Sequence, residues 1–62
     1  MATLKSGRKV SVKGEARRAM RNAMTRAASH EDPAQREATL LRGMATAMSW
    51  LDGTHPKLAL PE

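Results

Sequence analysis

The sequence predicts an all-α fold: an antiparallel two-helix hairpin with a basic N-terminal arm, assembled as a homo-oligomer. Three observations point there. Small and apolar residues recur at helical spacing in two segments, one sharp turn signal separates the segments, and the apolar bulk is too slight to close a core within one chain. The expected organisation is an arm over residues 1–14, a helical hairpin over 15–52 and a tail over 53–62.

Residues 1–14 mix Lys, Arg, Ser and Gly with isolated Leu4, Val10 and Val12. The stretch "KVSVK" alternates with period 2, as a strand would, but Gly7 and Gly14 bracket only a few residues. A basic arm is therefore expected, with a short strand as the alternative.

The first helix is expected over 15–29. Ala16, Ala19, Met20, Ala23, Met24, Ala27 and Ala28 fall at i, i+3, i+4, i+7 and i+8, the stripe of a helix with one packed face. Ala and Met make a narrow, adaptable surface against which another helix can come close.

The second helix has the clearest start signal. In "DPAQ", Asp32 is placed as N-cap, Pro33 occupies the first helical position where no amide is needed, and Gln35 sits where a capping box would close. Gly53 and then Pro56 stop the helix near residue 52. A turn of about three residues makes the helices antiparallel neighbours. At roughly 100° per residue, Ala34, Ala38, Leu41, Ala45 and Met48 form the centre of its apolar face, broadened by Leu40, Met44 and Leu51. Trp50, the one aromatic residue, falls opposite, with Arg36, Thr39, Gly43 and Thr46. On that reading something other than helix 1 covers the ring: the tail through Leu58 and Leu60, a second subunit, or a ligand.

Hydrophobic residues make up 40% of the chain, but 11 of those 25 are Ala, and Phe, Tyr and Ile are absent. A chain this short buries only about 60% of the surface its unfolded form exposes. With no Cys, disulfides and thiolate metal sites are excluded. Self-association is the expected remedy, with Met20, Met24, Leu41, Met44, Met48 and Trp50 as the interface.

The net charge is +5, and residues 5–26 hold eight cations against the single acid Glu15. Such asymmetry fits an anionic partner. Arginine forks match phosphate oxygens, so Arg8, Lys9, Lys13, Arg17, Arg18, Arg21 and Arg36 are the expected phosphate-binding set, for a nucleotide-like ligand or a nucleic acid. No apolar run approaches the roughly 18 residues of a membrane span. An apolar signal core is also lacking, and a cytoplasmic location is expected. His30 and His55 stand alone, Ser29 next to His30 lacks an orienting third group, and no phosphate-loop spacing follows Gly7 or Gly14. No catalytic residue, metal or cofactor is expected.

Residues 36–51, "REATLLRGMATAMSWL", resemble the second helix of small viral anti-defence sponges, which sequester the cyclic nucleotide signals of bacterial immunity. Arg36 and Glu37 match the opening pair of that helix, and Leu40, Met44, Ala47 and Trp50 match later positions. The spacing from Arg36 to Trp50 is one residue short, and Ala45 and Thr46 stand where the family has an acidic pair. The resemblance implies a phage or mobile-element protein in the host cell cytoplasm, an all-helical homo-oligomer that holds cyclic oligonucleotides between subunits without chemistry. Two other readings stay open. "KVSVK" before two helices has the order of a DNA-binding ribbon-helix-helix dimer, and the Ala and Met stripe or Trp50 offers a surface for inhibiting a host protein.

Overall fold

The computed structural model describes residues 1–59, and it is dominated by two helices, α1 (Val12–Ser29) and α2 (Pro33–Asp52), lying side by side in a body of 44 × 16 × 15 Å. The three-residue connection and the antiparallel pairing are as the sequence predicts. Asp32 caps α2 by accepting from the Ala34 amide at 2.9 Å, Pro33 follows it, and Gly53 ends the helix in the left-handed region at φ 81°.

Helix α1 starts three residues earlier than expected. Ser11 is its N-cap: the Ser11 hydroxyl accepts from the Gly14 amide at 3.2 Å and its carbonyl from the Glu15 amide at 2.9 Å. Glu15 in the first turn complements the positive helix end. Gly14 is thus helical, and the apparent alternation of "KVSVK" is a strand end, a cap and a helix start.

The N-terminal segment folds into a small antiparallel hairpin, β1 (Ala2–Thr3) with β2 (Lys9–Val10). Its loop of Lys5, Ser6 and Gly7 places Gly7 at φ 89°, the left-handed residue that a three-residue hairpin loop requires. The C-terminal segment lies along β1 on the side away from β2. Leu4 bridges Leu58, the Lys5 amide donates to the Lys57 carbonyl at 2.9 Å, and the Ala59 amide donates to the Thr3 carbonyl at 2.9 Å.

The packed face of α2 is the reverse of the one expected. Gly43, Ala47 and Trp50 are buried, whereas Ala34, Ala38, Leu41, Ala45 and Met48 are exposed. Proximity decides this. A Cβ built on Gly43 would overlap the Ala23 Cβ, so the helices meet there backbone to backbone along a seam continued by Ala16, Ala27 and Ala47. Leu or Met on that line would hold the helices apart. The stripe of α1 faces this seam through Ala16, Ala23 and Ala27, leaving Met24 and Ala28 in solvent.

The larger side chains gather at the open end of the hairpin. Val10, Ala16, Ala47, Trp50 and Leu58 form the buried cluster, with Leu4, Val12 and Met20 packed around it. Trp50 is 5% exposed, and His55 stacks on its ring at 3.9 Å between centroids and 12° between planes. The expected subunit role of Trp50 is therefore corrected: the chain's own tail, β2 and α1 cover it. Leu58 supplies that cover, and Leu60, the other tail residue expected there, lies outside the described residues.

Candidate functional site

The close seam leaves the hairpin with two unlike sides. On one, a cleft of about 380 Å³ runs over the Ala19, Ala23 and Gly43 floor. Asn22, Arg26 and His30 line it from α1 and its C-cap, and Thr39, Arg42 and Thr46 from α2. On the other, an apolar groove of about 520 Å³ is bordered by Met20, Met24, Ala47 and Leu51, with Arg17 and Arg21 on its rim.

In the cleft, Arg26 and Arg42 stand on opposing helices, and no carboxylate is among the lining residues. Among the described residues the one ion pair is Arg18 with Glu15, at 4.0 Å, so both cleft guanidinium groups keep their donors for a ligand. The Thr46 hydroxyl donates to the Arg42 carbonyl at 3.0 Å, fixing its rotamer with lone pairs left to accept. The Ser29 hydroxyl donates to the Arg26 carbonyl at 2.7 Å, which finishes the last turn beside Arg26. Arg36 donates from Nε to the His30 carbonyl and pins the turn at the cleft's end. The result is two positive forks, an amide and two hydroxyls around a floor of small residues. Such a set offers hydrogen-bond donors and positive charge of the kind that matches an oxyanion.

No known protein family, characterised protein or solved structure matches the chain.

The seven cations expected to form one phosphate site are dispersed. Arg8 and Lys9 belong to the β-hairpin, Lys13 to the first turn of α1, and Arg17 and Arg21 to the rim of the apolar groove. Arg18 leans toward Glu15, and Arg36 is partly engaged by the backbone. The cations that line one cleft together are Arg26 and Arg42, neither of which is in the expected phosphate-binding set. Their signal was present in the spacing: once Gly43 is set against Ala23, Arg26 lies one turn on from Ala23 and Arg42 beside Gly43, on the same side of the seam. Of the six expected interface residues, Met24, Leu41, Met44 and Met48 are exposed, Met20 is half-buried and Trp50 is buried.

No helix among the described residues is long and apolar enough to cross a membrane, and no group of three or more His, Asp or Glu there is placed to hold a metal ion.

Proposed function

We propose that the chain is a non-catalytic binding protein that holds a phosphate-bearing small ligand in the cleft between α1 and α2. The observation that carries this reading is the pairing of Arg26 and Arg42, unopposed by any lining carboxylate, across a concave site. Phosphate fits because each guanidinium presents a planar fork of donors to two oxygens. A cleft of about 380 Å³ is within the range of small-ligand sites and suits a nucleotide-sized molecule. Asn22, Thr39 and Thr46 add neutral partners for sugar hydroxyls or base edges. The resemblance of residues 36–51 to the anti-defence sponges adds the ligand class and role: cyclic oligonucleotide signals, sequestered rather than cleaved. The ribbon-helix-helix alternative draws less support, because β1 and β2 pair with one another within the chain.

Calorimetric titration with inorganic phosphate and with cyclic di- and trinucleotides tests the proposal. Binding by the parent chain, weakened at least tenfold in the Arg26→Gln/Arg42→Gln variant and little changed in Arg17→Gln/Arg21→Gln, is the expected result. The reading fails if the parent binds none of these probes, or if the Arg26→Gln/Arg42→Gln variant binds as well as the parent. Tight binding to duplex DNA that falls steeply with salt and ignores Arg26 and Arg42 would instead move the site to the cationic open end.

A further inference from the structure

We propose that a second copy of this chain seats on the apolar face opposite the cleft, its hairpin antiparallel to the first, to form a four-helix dimer. The face is continuous. Met20 and Met24 of α1 border the groove with Leu51 of α2, and Met48, Met44 and Leu41 extend it along α2 at helical spacing. Met24, Leu41, Met44, Met48 and Leu51 are between 47% and 62% exposed, so five large aliphatic side chains lie outside the core on one connected surface. Scattered apolar side chains need no explanation, but a connected row across two helices does.

Area argues for a partner of this size. The chain exposes 5034 Å². A compact monomer of the same mass exposes about 4,000 Å². The excess, roughly 1,000 Å², is close to the ~800 Å² that one partner contributes to a standard protein interface.

Charge argues for a second copy and selects its direction. Counted from the Ala23–Gly43 contact, Arg17 lies six residues toward the open end and Glu37 six residues toward the turn. Each is therefore about 9 Å from that level at 1.5 Å per residue. Arg17 borders the groove, and Glu37 falls one turn before Leu41 on the same side of α2. A two-fold axis through that level brings each Arg17 to the height of the partner's Glu37, with Met24 and Met44 at the centre. A parallel pairing would instead lay the two open ends together, where Lys13, Arg17 and Arg21 are concentrated. The cleft faces away from this interface, so the dimer leaves two clefts open, and the inference stands independently of what they bind.

Sedimentation equilibrium of the full chain, together with cross-linking of single-cysteine variants, tests this. The absence of native Cys keeps the cross-link unambiguous. The parent chain is expected at twice its 6.8 kDa mass, and Met44→Glu at the single-chain mass with its helical circular dichroism retained. Met44→Cys, beside the axis, is expected to form a disulfide dimer. Leu51→Cys is expected not to, because antiparallel pairing separates its two copies by about 24 Å along the bundle. A parent chain that stays at 6.8 kDa at 100 µM (roughly) overturns the proposal, as does capture by anionic vesicles of a chain that is monomeric in solution. Cross-linking of Leu51→Cys as readily as Met44→Cys overturns the antiparallel arrangement.

Discussion

Replacing Gly43 by Ala is the most direct test of where the two helices touch. A Cβ at this position would overlap the Ala23 Cβ, and the Ala19 carbonyl oxygen and Ala23 Cα lie 3.6 Å from the same point. None of these atoms belongs to a side chain that can rotate away. Restoring an ordinary carbon–carbon separation of about 3.5–4.0 Å means parting the helices by roughly 1.5 Å. The Ala16, Ala47 and Trp50 contacts further along the seam would loosen with them. Overpacking of this kind costs about 1–3 kcal/mol, and the upper end applies because the strain falls on two backbones. Ala recovers about 1 kcal/mol in helix propensity. The expected net loss is about 2 kcal/mol, a large part of the ~3–5 kcal/mol that a core this small supplies. For a domain of this length the midpoint of thermal unfolding should fall by roughly 8–16 °C, followed by circular dichroism at fixed protein concentration. The double variant Ala23→Gly/Gly43→Ala moves the methyl group across the seam and should regain part of the loss. Stability equal to or above that of the parent in Gly43→Ala alone would refute the reasoning, since propensity would then act unopposed and the packed face of α2 would be the one bearing Leu41 and Met48.

Two further outcomes follow from the tail. Leu58 is 8% exposed and packs in the Trp50 cluster, so Leu58→Ala should cost about 2–3 kcal/mol and shift Trp50 emission to the red; an unshifted spectrum would mean that other groups shield the ring. The Thr54 hydroxyl and amide donate to Asp52 Oδ1 at 2.6 and 3.0 Å, and these bonds hold the Asp52 carboxyl below its ordinary pKa. Because the folded value is the lower one, the contribution is present above the ordinary carboxylate pKa and is lost as pH falls through the lowered value. Thr54→Val should therefore raise the Asp52 midpoint in an NMR titration, and an unmoved midpoint would rule out the hydroxyl as its main cause.

The parts of the fold visible in the sequence are those set by local backbone chemistry. Asp32 and Pro33 start α2, Gly53 stops it, and the three-residue turn between α1 and α2 forces the antiparallel pair. The stripe of α1 is legible for the same reason, its small residues recurring at one helical spacing. The inner face of α2 was not, because hydrophobicity ranks Leu41 and Met48 above Gly43 and Ala47, while packing here rewards the absence of a side chain. Ser11 was hidden between two Val residues that mimic strand alternation. The cleft followed the same error: with α2 turned the wrong way, Arg26 and Arg42 point to different surroundings, and only the Ala23–Gly43 contact brings them to one side.

The bridge between Leu4 and Leu58 joins residues from nearly opposite ends of the described chain. The helical hairpin can assemble from contacts close in sequence, on the microsecond scale of helix formation. The cluster around Trp50 must wait for a far longer loop to close, since Val10 and Leu58 reach it from either side of the hairpin. The two parts of the fold thus differ in the loop each must close, a short turn for the hairpin and nearly the whole described chain for the Trp50 cluster. The cluster around Trp50 is complete only when residue 58 is in place. Release of the Leu4–Leu58 closure is therefore expected to uncover the chain's only indole while the Ala23–Gly43 contact stays made.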